Sequence, residues 1–257
     1  MYYYYYPDGS QIENPNEFVR FYNMCYYLTN STIVEKRIEK LLYRGKDQLE
    51  RADIVYILAW KMNGLNQRAS SIEVPFVFKK YREDTKLEWN LEVNKEKAVN
   101  YGNQVRSEQE DNIKRLVDCV LKNSNKNKWN DIDASAVLDS LQRCVDGDNK
   151  KDSKIKGIGH VYLITLLYFI TQGAYPIYDI HVMKALTAIK SKDIRLGGKI
   201  SVRNLPIISH PDFWKTYLDY IKSLEAFSKS LYNNDKNQYK YDRNIDRALW
   251  VYGHLFK

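Results

Sequence analysis

Apolar residues recur at intervals of three or four over most of this chain, and this periodicity constrains its fold more than any other feature. Only 11 glycines and six prolines interrupt the pattern in 257 residues, and the alternation typical of strands is scarce. The segment that begins at Asn14-Pro15 is an example, with one helical face made of Phe18, Phe21, Tyr22, Cys25 and Leu28. We therefore predict an all-α fold.

Other segments indicate further helices. Thr32 and Glu35 have the spacing of a capping box at the start of a helix. The run Ile54 to Trp60 is apolar on all sides, which predicts a helix at the centre of the core. Helices are also predicted over residues 107–121, 161–170, from 180 onward, 212–231 and 245–255.

The formal net charge of +8 is concentrated in one part of the chain. Residues 150–203 contain ten basic and three acidic residues, a net charge of +7, so that all other residues together carry only +1. Such a concentration is expected of a surface that meets polyphosphate. A solvated face on which charges have clustered by chance is the alternative.

Cysteine usage excludes some classes of site. Cys25, Cys119 and Cys144 lie far apart and form no C-x-x-C pair, so we expect no iron–sulfur cluster and no zinc ribbon. No run of 18 apolar residues is present, and the segment Met1 to Tyr6 lacks the order of a signal peptide. These features predict a protein of the reducing cytoplasm that does not enter a membrane.

The most informative motif lies between residues 156 and 186. Gly157-Ile158-Gly159 precedes the apolar helix predicted over 161–170, so its glycines allow a tight turn with exposed backbone N–H groups near a helix N-terminus. Such N–H groups bind phosphate. Twenty-two positions after Gly157, the sequence Asp179-Ile180-His181-Val182 opens the next helix.

In the G-apolar-G turn, the apolar helix, the interval and the D-x-H-V sequence, the chain resembles the helix-hairpin-helix DNA glycosylase superfamily. The resemblance implies a two-part helical fold with a DNA-facing cleft between the parts and a hairpin that grips the DNA backbone. It also implies that Asp179 is the catalytic residue at the cleft. Enzymes of this type expel a base from the duplex, because its glycosidic bond cannot be reached inside the stack.

The same resemblance implies a division of the chain into three parts. Residues 131–203 form the helix-hairpin-helix part, residues 1–130 a helical part that the resemblance does not cover, and residues 204–257 helices that pack back on the core. The residues implied to contact DNA are Gly157, Gly159, His160, Lys154, Lys156 and Lys184.

Asp179 has two interpretations. A carboxylate held against the deoxyribose would stabilise the positive charge that develops as the base leaves. Alternatively, Asp179 only caps the helix that begins at Ile180, a role that aspartate fills well. The retained match around it favours catalysis, whereas His181, expected one turn inside that helix, is interpreted as a structural residue near the site.

Departures from the family pattern also carry information. Bifunctional members have a Schiff-base lysine two residues after the second hairpin glycine, where this chain has Val161. We therefore predict a monofunctional glycosylase, unless Lys154, Lys156 or Lys184 supplies the amine. Phosphate contact or solvent exposure is the preferred interpretation of those three lysines.

The expected partner is double-stranded DNA, bound by a monomer associated with the nucleoid. No cofactor is predicted, although the resemblance allows one monovalent or divalent cation at the hairpin carbonyls of Ile155 and Ile158. The alternative function is a helix-hairpin-helix DNA-binding protein that has lost its chemistry. An aspartate among ten basic residues favours the enzyme, because phosphate binding alone gives no reason for it.

Two further groups of residues are better explained by structure than by function. The tyrosine run Tyr2 to Tyr6 could stack on unpaired bases, but a segment packed on the core or disordered is preferred. Near the end of the sequence, salt bridges with Arg243 and Arg247 are expected to account for Asp242, Asp246 and His254.

Overall fold

A computed structural model describes residues 2–27, 35, 36, 38, 57, 61, 118, 160–170, 173, 175–202, 213–231 and 242–257. This part of the chain is mostly helical, as the periodicity predicts. Its elements are β1 (Tyr4–Tyr5), β2 (Gln11–Ile12), α1 (Pro15–Tyr27), α2 (His160–Ile170), α3 (Ile180–Ala188), α4 (Phe213–Leu231) and α5 (Arg243–Gly253). The six isolated residues between 35 and 118 also have helical backbone.

The two short strands form an antiparallel hairpin that the sequence did not predict. Tyr4 pairs with Ile12, and the turn between the strands uses Gly9 at φ 88°. Tyr4 is buried, and its ring lies 4.8 Å from the ring of Phe18 in α1. The hairpin therefore anchors the tyrosine run to the core, which confirms the packed interpretation for Tyr4.

Helix α1 begins where its capping residues predict. The Asn14 Oδ1 atom accepts a hydrogen bond from the backbone N–H of Asn16 at 2.9 Å, and Pro15 occupies the first helical position. The apolar face of α1 packs on α5, where the Phe18 and Tyr22 rings each lie 5.1 Å from the ring of Tyr252. Edge contacts between aromatic rings thus join the beginning and the end of the sequence.

Helix α2 lies within the core. Residues 163–169 are all buried, in agreement with the nearly uniform apolar character of this helix. Ile57, from the run predicted as a central helix, is helical and 1% exposed. No helix among the described residues has the length and apolar character needed to cross a membrane.

A buried network of charged side chains ties α5 to the rest of the core. The Glu35 carboxylate accepts hydrogen bonds from Arg243 Nε at 2.7 Å and from the Tyr26 hydroxyl at 2.8 Å. Arg247 lies 3.4 Å from the same carboxylate, and Arg243 also pairs with Asp246. Among the described residues, two acids and two bases balance the charge, which lowers the cost of burying them.

Glu35 has a role that the sequence did not predict. Its carboxylate pairs with the two arginines, whereas Thr32, the other half of the expected capping box, lies outside the described residues. Burial alone would raise the pKa of Glu35, but the charges of Arg243 and Arg247 hold it below its usual value.

Candidate active site

The candidate site is built on the extended segment that leads into α3. Three consecutive backbone carbonyls of this segment accept hydrogen bonds from side chains of distant elements. Tyr217 and Tyr220 of α4 donate to the carbonyls of Pro176 and Ile177, each at 2.7 Å, and Lys61 Nζ donates to that of Tyr178 at 3.0 Å. The backbone immediately before Asp179 is therefore fixed from two sides.

Asp179 caps α3 and forms an ion pair. Its Oδ1 atom accepts a hydrogen bond from the backbone N–H of His181 at 2.8 Å, so the capping interpretation of this residue is confirmed. Its Oδ2 atom lies 2.8 Å from Lys61 Nζ. The Asp179 side chain remains 18% exposed and that of Lys61 12% exposed, so solvent still reaches the pair.

The surroundings favour the charged form of this carboxylate. Burial raises the pKa of Asp179, but the charge and hydrogen bond of Lys61 and the N–H of His181 outweigh burial and hold the pKa below its usual value. Asp179 is therefore an anion at neutral pH, and both of its oxygens have fixed donors.

Two histidines stack beside this ion pair. The ring of His181, the second residue of α3, lies 3.5 Å from that of His254, with 15° between the ring planes. Trp250 covers His254 at 4.1 Å between ring centroids. His181 thus lies at the start of α3, rather than one turn inside it as predicted, and His254 packs on a ring instead of joining a salt bridge.

The stack requires neutral imidazoles. Burial, assisted by the neighbouring His181 and Lys184, lowers the pKa of His254 to about 4. Burial also lowers the pKa of His181, with contributions from Lys184 and Lys61, whereas Asp179 acts in the opposite direction. His254 Nδ1 donates to the Trp250 carbonyl at 2.8 Å, while His181 Nδ1 is buried and has no hydrogen-bond partner among the described residues.

Gly253 allows the two helices to approach closely enough for this stack. A β-carbon at this position would overlap the backbone carbonyl oxygen of His181. Only glycine fits such a contact between backbones. The identity of residue 253 therefore determines how α5 sits against the N-terminal turn of α3.

The other predicted site residues divide into two groups. Lys184 lies in α3, close enough for its charge to act on both histidines. His160 begins α2, and Val161 in its first turn packs against the core. Outside the described residues lie Lys154, Ile155, Lys156, Gly157, Ile158 and Gly159.

The structure offers no metal site in the part that it describes, where no group of three or more His, Cys, Asp or Glu side chains could hold an ion. The cation expected at Ile155 and Ile158 falls outside that part. Cys25 is a buried free thiol whose pKa burial raises to about 11, which makes it unreactive at neutral pH.

Sequence reasoning missed four components of this site. They are Lys61, the tyrosines Tyr217 and Tyr220 of α4, the stacking of His254 on His181, and Gly253. Lys61 follows the apolar run of residues 54–60, and nothing local distinguishes it from other lysines. It lies 118 positions from Asp179 in the sequence. Only the tertiary fold brings such residues together.

Comparisons of the chain with protein-family models, with curated proteins and with solved structures found no match.

Proposed function

We propose that this protein is a monofunctional DNA glycosylase that cleaves the N-glycosidic bond of a damaged or modified base in double-stranded DNA. The observation that carries the proposal is the state of Asp179, an ionised and rigidly held carboxylate to which solvent still has access. Its position at the start of a helix after a G-apolar-G motif is the one that the superfamily resemblance implies.

The reaction makes a specific demand on this carboxylate. As the bond from C1′ to the base breaks, the electron pair leaves with the base and positive charge develops on the deoxyribose. A fixed anion beside the sugar stabilises that charge without having to reorganise. Water then adds to C1′ and loses its proton, and the base takes up a proton, which gives a free base and an intact abasic site.

Lys61 supports this role by positioning. Its ammonium group binds both the Tyr178 carbonyl and Asp179 Oδ2, so it orients the carboxylate and keeps it charged. The second oxygen, Oδ1, is oriented by the His181 N–H. Preorganisation of this kind is a requirement of electrostatic catalysis, and it also explains why three side chains hold the preceding backbone.

One observation favours a second candidate activity, a glycosylase that also cleaves the strand. Lys61 provides an amine 2.8 Å from Asp179, although the family position at Val161 does not. Once deprotonated, this amine could attack C1′ and displace the base. Cleavage of the C1′–O4′ bond would then open the sugar ring and give an imine, from which β-elimination would break the strand. Lys61 was not among the lysines that the sequence suggested for this role.

The test is an excision assay on duplexes that each carry one lesion. After incubation with the protein, alkali converts abasic sites into strand breaks, and breaks without alkali indicate a lyase. Asp179→Asn should retain DNA binding and lower excision about 100-fold, roughly 3 kcal/mol of barrier. Borohydride trapping of an adduct that Lys61→Arg abolishes would support the second candidate.

The chain contains a matched control. Asp242 caps α5 as Asp179 caps α3, since its Oδ1 atom accepts from the Asn244 N–H at 2.8 Å. Asp242→Asn should therefore lose a comparable capping interaction and keep full excision. Good duplex binding with no excision on any lesion would favour the non-catalytic helix-hairpin-helix DNA-binding protein instead.

A further inference from the structure

We propose that the loop of residues 190–199, which follows α3, is a preorganised phosphate-binding surface for duplex DNA, separate from the predicted hairpin. The loop's charge and rigidity are independent of any function assigned to Asp179. The choice of DNA as the polyanion rests on the proposed function.

The first support is the charge of this basic loop. Lys190, Lys192, Arg195 and Lys199 are exposed, and Asp193 is the one acidic residue among them. Lys257 is exposed as well and bonds to the loop through its backbone. None of these five cations forms an ion pair within the part of the chain that the structure describes.

The second support is the direction in which the loop residues face. Ile194 and Leu196 pack against the hydrophobic core and Ile200 is buried, whereas the alternate positions Arg195 and Lys199 are exposed. The apolar side chains therefore anchor the loop while its cations face outward. A surface for membranes would be expected to expose apolar residues beside its cations, and this loop does not.

The third support is a fixed backbone. The N–H groups of Gly197 and Ile200 donate to the carbonyls of Leu255 and Lys257 at 2.8 and 3.0 Å, and the Lys257 N–H donates to the Gly198 carbonyl at 3.0 Å. A turn from Arg195 to Gly198 uses the positive φ of 78° at Gly197. Since the loop is already ordered, binding a phosphate chain costs little backbone entropy.

The loop lies against the same pair of helices as the candidate site. Lys190 follows α3, the helix that Asp179 caps, and the Gly197 N–H donates to the Leu255 carbonyl. Leu255 follows His254, whose ring stacks on that of His181. The loop is thus able to hold the duplex while a base is turned out toward Asp179.

The test compares two charge-matched double variants of the full chain. Arg195→Gln/Lys199→Gln removes two loop cations, and Lys215→Gln/Lys222→Gln removes two exposed cations from α4. Binding to a fluorescent duplex is measured against salt concentration. Each lost phosphate contact lowers the slope of log affinity against log salt by about 0.9, so the loop variant should lose about 2 units and the control none.

An unchanged slope in the loop variant, or an equal loss in the control, overturns the proposal. So does tighter, loop-dependent binding to phosphatidylserine vesicles than to the duplex. Excision by the unmodified protein is measured in parallel. A loop-dependent slope without excision supports the DNA-binding loop while rejecting the glycosylase.

Discussion

Two carboxylates in this protein have similar partners and different settings. Glu35 has a side chain with 0% exposure, and it is enclosed by Tyr26, Arg243 and Arg247. Asp179 is 18% exposed and has one cation, Lys61. In both, oppositely charged partners overcome burial and hold the pKa below its usual value.

The two carboxylates differ in whether solvent or a substrate can reach them. The Glu35 carboxylate is fully buried and its charge is matched by arginines, so solvent and substrate cannot reach it and its role is in the fold. Around Asp179, solvent has access and the neighbouring His181 Nδ1 lacks a hydrogen-bond partner among the described residues. A lowered pKa therefore does not identify a functional carboxylate by itself, and accessibility separates the two.

The largest expected effect concerns the ion-pair network around Glu35. Glu35→Ala leaves the buried Arg247 and the partly buried Arg243 without their shared partner and should lower the free energy of unfolding by about 3 kcal/mol. Denaturant unfolding measures this loss. Asp179→Asn, which keeps a polar cap, should cost clearly less, and equal losses for the two variants would erase the distinction between the clusters.

The next largest effect should be a loss of stability in mild acid, caused by His254 beside Asp179. The folded-state pKa of His254 lies near 4, below its usual value of 6.5. The unfolded chain therefore binds a proton more readily, and stability that is complete above pH 6.5 falls as the pH drops toward 4, by up to about 3 kcal/mol. Glu35 and Asp179, whose pKa values are lowered, should lose their contributions only below their ordinary range.

His254→Phe is the variant that isolates this effect. Phenylalanine is flat and can stack, but it does not titrate. Thermal unfolding measured from pH 7 to 5 should show a shallower pH dependence in this variant than in the parent protein. The same dependence in both would mean that other groups cause the acid sensitivity.

A substitution at Gly253 should lower the free energy of unfolding by less, and it should disturb only the surroundings of Asp179. Gly253→Ala places a methyl group against the His181 carbonyl and should cost about 2 kcal/mol. Excision should fall as well, because α5 then moves relative to the helix that Asp179 caps. Gly9→Ala in the turn between β1 and β2 is the control: its added methyl group meets open space, and its positive φ alone should cost about 1 kcal/mol, with excision retained.

The smallest effect concerns the tyrosine hydroxyls. Tyr217→Phe and Tyr22→Phe each remove one hydrogen bond to a backbone carbonyl, of Pro176 and Tyr5 respectively, and should each cost about 1 kcal/mol. Only Tyr217→Phe should also slow excision, because Pro176 lies in the segment that leads into Asp179. Equal excision in the two variants would show that this segment needs no such support.

Much of the local structure was predictable from the sequence. The predicted helix over residues 212–231 is observed as Phe213–Leu231, and the one over 161–170 as His160–Ile170. The last helix begins two residues earlier than predicted, at Arg243, because Asp242 caps it. Periodicity and capping act over a few residues, so they can be read without tertiary information.

Within the described residues, the sequence by itself determined which segments are helical and that Asp179 stands at the start of one of them; the helix predicted over 107–121 lies almost entirely outside them. The tertiary structure decided what surrounds that aspartate: an amine 118 positions away, two tyrosine hydroxyls from α4 and an imidazole stack from α5. The physical reason is the separation in sequence over which each interaction acts. Caps and helical faces involve neighbours in sequence, whereas ion pairs and ring contacts need only proximity in space. Such proximity arises when burial of the apolar faces brings distant helices together.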